Sequence, residues 1–315
     1  MVRLIAGPPR TAVLAGLALS LLVVGCSSSG AGHEQDGPDV RPWSGAVHFS
    51  SDEATRLHEA VEQSVASCMR GRGFAYRPQP STDQRRAAAA NPYGLLTDAV
   101  SSQDGYGIVG VLLSESGEPS ADGNTEVVAG LDGKQAEKWK DALLGRDEDR
   151  REVVVPDGPT FQYSPDSCAV RGREDVYGKG WDEARIIAEA ASNGVIQAVG
   201  RDDAYAESVG AWSACMEEHG HTYPDLQAPR ADLTSRAEKT GSAEALRKLG
   251  GEEIDIARQD HACERQVRLH EAAAEAQSRA EKAALRHDGE LEEKLEQLRA
   301  MKRRAVTKTH AKTAG

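Results

Sequence analysis

CMRGRGFAY at residues 68–76 and CMEEHGHTY at residues 215–223 are two copies of one pattern, Cys-Met-x-x-x-Gly-x-x-Tyr. Each has a proline close behind, Pro78 and Pro224. Apolar residues lead into both copies at helical spacing: Ala54, Leu57, Val61 and Val65 before Cys68, then Tyr205, Val209 and Trp212 before Cys215. Steps of three and four place such residues on one helix face. Ser50 and Glu53 offer a capping box at the start of the first helix. Gly73 and Gly220 stand where a helix takes a left-handed C′ residue, and the prolines behind them prevent resumption. The repeat therefore predicts two amphipathic helices, each ending on a cysteine at its buried face, in a chain that is mainly α.

The first 30 residues read MVRLIAGPPRTAVLAGLALSLLVVGCSSSG. Arg3 and Arg10 make a positive n-region, and the apolar run Ala12 to Val24 has the length of a signal h-region. A spanning helix needs about 20 apolar residues, and Pro8, Pro9 and Arg10 stop this run from extending backwards. The run ends in Val23-Val24-Gly25-Cys26, which resembles the lipobox of bacterial lipoproteins. The resemblance implies cleavage after Gly25 and a diacylglycerol on the Cys26 thiol, with acylation (palmitate or a similar chain) of the new amino group. Two or more acyl chains, at about 0.8 kcal/mol per buried CH₂, hold a protein stably where one does not. Residues 1–25 are thus read as signal peptide and 26–50, opening Ser27-Ser28-Ser29-Gly30, as a flexible tether.

Apart from Cys26, four cysteines remain: Cys68, Cys168, Cys215 and Cys263. An even number in an exported chain argues for disulfides, and four cysteines allow three connectivities. Asp166 precedes Cys168 and Asp260 precedes Cys263, while Ile256 and Val267 put Cys263 on an apolar helical stripe. The economical pairing is Cys68 with Cys168 and Cys215 with Cys263; crossed pairings stay open. Closing loops of about 100 and about 50 residues would contribute roughly 4–5 kcal/mol each in the chain-entropy model.

These features together resemble a group of uncharacterised secreted lipoproteins of high-GC Gram-positive bacteria. The likeness rests on the lipobox, the two Cys-Met segments, Tyr106-Gly107-Ile108 and the stretch from Cys168 to Tyr177-Gly178. It implies location and disulfides, and it carries no activity. His221 stands where the first copy has Phe74, so the copies differ.

With 39% hydrophobic but only 4% aromatic residues, any core must come from Ala, Val, Leu and Ile, which fill space between close helices better than between sheets. The expected architecture is two disulfide-braced helical units in tandem, residues 51–180 and 181–315, with a loop-rich middle and a long C-terminal helix. Helices are expected near 51–72, 134–144, 181–199, up to Cys215, and 232–249, with Gly250-Gly251 as a break. Tyr106 to Leu113 reads as strand-like, Val153 to Val155 as a short strand before the turn Pro156-Asp157-Gly158. Leu291, Leu295 and Leu298 form a stripe that suits a coiled-coil seam or a helix laid back on the bundle, with Gly289 as a kink. Lys302, Arg303, Arg304, Lys308 and Lys312 make a basic tail, read as a frayed, solvated end rather than a lipid or wall-polymer contact.

The formal charge of −12 disfavours nucleic acid as a partner. No Gly-x-Ser-x-Gly, Ser-x-x-Lys set, His-Glu-x-x-His or phosphate-binding glycine loop is present, so no enzyme and no cofactor are expected. The sharpest rival is a zinc site from Cys215, His219, His221, His261 and Cys263. It is weakened because Arg72 replaces His219 in the first copy and because exported thiols oxidise. The expected role is a non-catalytic interaction or scaffold lipoprotein on the outer face of the cell membrane, with an envelope protein as partner. The alternative is a solute- or metal-binding lipoprotein serving a transporter.

Overall fold

The computed structural model describes residues 40–81, 90–115, 123–155 and 159–313. The signal peptide, Cys26, most of the tether and the turn Pro156-Asp157-Gly158 lie outside the described residues. Among the described residues there are thirteen helices and one hairpin. The first half contains α1 (Pro42–Gly45), α2 (Ser51–Gly71), α3 (Asp98–Gln103), α4 (Ile108–Glu115), α5 (Gly123–Ala129) and α6 (Gly133–Leu144). A hairpin of β1 (Arg151–Val154) and β2 (Thr160–Tyr163) follows, then α7 (Cys168–Tyr177). The second half is α8 (Trp181–Val199), α9 (Asp203–Glu218), α10 (Ala228–Glu238), α11 (Ala243–Gln266), α12 (Leu269–His287) and α13 (Leu291–Thr313).

Both copies of the repeat end their helices as expected. Ser50 and Glu53 form the reciprocal capping box of α2, and Gly73 and Gly220 carry φ of +83° and +87° behind α2 and α9. The within-unit disulfides form. Cys68–Cys168 joins α2 to α7 with Cα atoms 5.5 Å apart, and Cys215–Cys263 joins α9 to α11 at 5.7 Å. Gly172 makes the first junction close: a Cβ there would fall 2.5 Å from Val65 Cγ2 and 3.2 Å from the Val65 nitrogen. Val65, Met69, Trp139 and Ala142 pack round this bridge, and the Trp139 indole donates to Ala75 O at 2.8 Å. The second bridge lies in a larger cluster holding Trp212, Met216, Leu233, Leu269 and Leu298. Tyr93, Leu95 and Val109 from the first half of the chain join that larger cluster. The upstream acids are not equivalent: Asp166 pairs with Arg171 at the surface, whereas Asp260 is fully buried.

Several expectations are corrected. The strand-like run Tyr106 to Leu113 becomes helix from Ile108, α4, because a carboxylate from α11 accepts from its first amides and no strand among the described residues pairs with it. Gly250-Gly251 does not break the chain; α11 runs through it, and the break falls at 239–242, where Ser242 caps the Ala245 amide. A Cβ on Gly250 would sit 3.2 Å from Val109 Cγ1, so the small residue lets α4 approach. The Leu291, Leu295 and Leu298 seam, with Met301 and Ala305, is buried against α8, α2 and α7 within the same chain, which leaves it no coiled-coil partner to seek. The basic end is not frayed, since helix continues to Thr313 and Lys308 donates to Asp175 O at 2.8 Å.

The tether also ends sooner than residue 50, because Val40, Trp43 and Ala46 are buried. The Trp43 amide donates to Glu281 of α12 at 2.7 Å, and Arg299 of α13 donates to Trp43 O at 3.2 Å. Lys302 donates to Gly45 O and His48 O and lies 4.8 Å over the Phe49 ring. These contacts hold Trp43 and Ser44 at φ of +58° and +54°, a region that costs about 1–3 kcal/mol for residues with side chains.

If Cys215 and Cys263 constrain one loop, Cys215→Ala and Cys263→Ala should each lower unfolding free energy by about 4 kcal/mol or somewhat less. The double variant should cost no more than either single one in urea titration. Additive losses would show that the two sulfurs do not act as a pair.

Candidate functional site

α11 carries three buried carboxylates on one stripe. Glu253, Asp260 and Glu264 are spaced by seven and four, so they project within a narrow arc of the helix. That arc is the apolar one, shared with Leu249, Ile256 and Ala257. Glu253 is 2% exposed and the other two are 0% exposed. A buried carboxylate is costly unless its lone pairs are met.

All three are met by the segment 96–109 and its neighbours. Glu253 Oε1 accepts from the Ile108 amide at 2.8 Å and Oε2 from the Val109 amide at 3.0 Å, closing the N-terminus of α4. A negative charge there also suits the helix dipole. Gly105 (φ +61°) passes so near that a Cβ would fall 2.8 Å from Glu253 Cγ. Asp260 accepts from the Tyr106 hydroxyl at 2.6 Å and from the Trp212 indole at 2.7 Å. Glu264 accepts from the Leu96 amide, 3.2 Å from Oε1 and 3.0 Å from Oε2, and its Oε2 lies 3.0 Å from His270 Nε2. Arg230 of α10 places its guanidinium 4.6 Å over the Tyr106 ring and donates to Gly94 O at 2.8 Å.

Burial, and then the neighbouring Glu264 charge, push the Asp260 carboxyl up to about 7. Burial and Asp260 together hold the Tyr106 hydroxyl far above the usual phenol range, so it remains a donor. A groove of about 330 Å³ opens beside this array, lined in part by Asn91, Thr97, Asp104, Tyr106 and Arg230. A second, more open cleft of about 610 Å³ lies over the Cys68–Cys168 bridge, lined by Arg72, Arg171, Glu174 and Asp175.

Of the five residues in the sequence-derived zinc set, Cys215, His219 and Cys263 come together, with donor atoms within 4.8 Å of one another, but the two sulfurs are taken. Cys215 and Cys263 are bonded to each other, so neither supplies a thiolate. His219 Nδ1 lies 2.8 Å from Cys215 O, and His221 stacks on Tyr223 with centroids 6.0 Å apart. His261 belongs to a different group of donors. It sits with Glu264 and His270, whose donor atoms all lie within 4.8 Å of one another. Glu253, Glu264, His270 and Arg230 were not legible as site residues. The signal for the two glutamates was present: charged residues inside the apolar arc of a helix are buried for a reason. His270 comes from the next helix, and no periodicity links it to them.

Among the described residues no helix is long and apolar enough to cross a membrane. Comparison with protein-family models, curated proteins and solved structures finds no match to the chain.

Glu253→Ala would leave two α4 amides, one buried and one part-buried, without this acceptor. We expect a loss of about 2–3 kcal/mol or more in urea unfolding, with faster hydrogen exchange confined first to residues 96–115. Unchanged exchange there would mean that α4 does not depend on this carboxylate.

Proposed function

We propose that the chain is an extracytoplasmic lipoprotein, held to the outer face of the bacterial cell membrane through Cys26, whose helical body serves a non-catalytic interaction or scaffold role. One observation carries the reading: the five cysteines divide into two bridged pairs and Cys26, the one that ends the Val-Val-Gly-Cys sequence after an apolar run. Bridged pairs suit an oxidising compartment. The remaining cysteine stands where a lipobox places its acylated residue.

Support for a non-catalytic role comes from the buried acids. Catalytic carboxylates face a cavity where substrate can reach them. Glu253, Asp260 and Glu264 instead direct lone pairs at main-chain amides, at the Tyr106 and Trp212 side chains and, for Glu264, at His270. The envelope partner is a protein, and the chain's negative charge is unsuited to nucleic acid. A second reading, capture of a metal or solute for a transporter, is favoured by the convergence of His261, Glu264 and His270.

Cys26→Ala should move the protein from the detergent phase to the soluble fraction of the expressing cell, and the parent should label with a radioactive or clickable fatty acid. A variant that stays with membranes, or a parent that takes no label, would contradict the anchor. Cross-linking on intact cells followed by capture of the anchored chain tests the scaffold role, which predicts a stoichiometric envelope protein.

A further inference from the structure

Glu264 is the one buried carboxylate of α11 that faces histidines. His261 precedes it by three residues on the same helix, and both side chains project inward. The chain then turns at Arg268, in the left-handed region at φ +57°, and α12 brings His270 back over the same point. The three residues are 5%, 0% and 7% exposed. Helix bundles build metal centres in this manner, from a carboxylate and a histidine three apart on one helix and further donors on a facing helix.

We propose that His261, Glu264 and His270 bind one divalent transition-metal ion of the zinc class, through His261 Nδ1, Glu264 Oε2 and His270 Nε2. The distances support this set. Donors at about 2.1 Å from a tetrahedral ion are about 3.4 Å from each other. His270 Nε2 is 3.0 Å and His261 Nδ1 is 3.9 Å from Glu264 Oε2, which brackets that separation. The three donor atoms all lie within 4.8 Å of one another, so side-chain adjustment about one ion brings them to bonding range. The Leu96 amide reaches both oxygens of Glu264, 3.2 Å from Oε1 and 3.0 Å from Oε2, so with an ion on Oε2 it would keep Oε1 as its acceptor and hold the carboxylate in place. Two imidazoles and one carboxylate suit zinc, cobalt or nickel, whereas calcium and magnesium want oxygen alone. Three protein donors leave a fourth position for water.

The site deepens the second reading given above and does not depend on the anchor. Binding is read at the histidines, and membrane release is read at Cys26, so either can fail alone. The test uses the full chain in detergent with both disulfides intact, stripped by a chelator and titrated with zinc and with cobalt. The expected result is one ion per chain, a rise in melting temperature, and visible cobalt bands of four- or five-coordinate geometry. His270→Gln and His261→Gln should each weaken binding at least about 100-fold, while His219→Gln and Cys26→Ala bind as the parent does. If His270→Gln does not fold, by circular dichroism, His261→Gln decides. Absence of stoichiometric uptake, or uptake unchanged by loss of either buried histidine, overturns the proposal.

Discussion

Acceptance of backbone amides by buried carboxylates is the interaction on which the second half of the fold depends. α11 runs through the interior of its cluster, and Glu253 and Glu264 take amides of Ile108, Val109 and Leu96 from a part of the chain 144 to 168 residues away. Asp260 adds the ring donors of Tyr106 and Trp212. An ordinary apolar core would seat this segment with large side chains, and this protein has few: aromatic residues are 4% of the sequence. Charge-assisted hydrogen bonds, each contributing about 1.5–3 kcal/mol when both partners are buried, take over part of that task. They are also directional, so they specify a single seating where Ala and Val surfaces alone would tolerate sliding.

The disulfides supply a different kind of constraint. Cys68–Cys168 and Cys215–Cys263 act chiefly by removing conformations from the unfolded chain. Each bridge sits in its own apolar cluster, and each joins a helix of the repeat to a helix far along the sequence. Gly172 shows how close the first of these contacts is, because α2 and α7 meet where no Cβ would fit. The carboxylates and the sulfurs are therefore complementary. The bridges fix which helices meet, and the acids fix how the connecting segment lies on them.

How far the sequence reveals this depends on whether the determinant is local. The capping box at Ser50, the left-handed Gly73 and Gly220, and the span of α8 from Trp181 to Val199 all follow from neighbours within a few residues, and all are as read. The cysteine pairing was readable from the repeat, although its alternatives could be excluded only by geometry. The apolar run of α4 reads as strand-like because it has no helical start of its own; the cap comes from Glu253, far away. Gly250-Gly251 reads as a break because glycine disfavours helix by about 1 kcal/mol, yet α11 runs through both, and Gly250 leaves room where a Cβ would sit 3.2 Å from Val109 Cγ1. Spacing within the Cys215 motif does bring Cys215, His219 and Cys263 together, but the disulfide occupies both sulfurs, and the second converging cluster takes only His261 from the sequence-derived set.

One feature of the N-terminal clasp bears on how the protein comes into being. Trp43 and Gly45 bond to Glu281, Arg299 and Lys302, partners 238 to 257 residues downstream. Contacts of such separation form late, since loop-closure entropy must be met before they stabilise anything. A chain emerging in order from a ribosome or a secretion channel would thus hold its beginning unsecured until α12 and α13 arrive. Docking of the Trp43 segment would then wait on the last two helices, which carry the partners of its main chain.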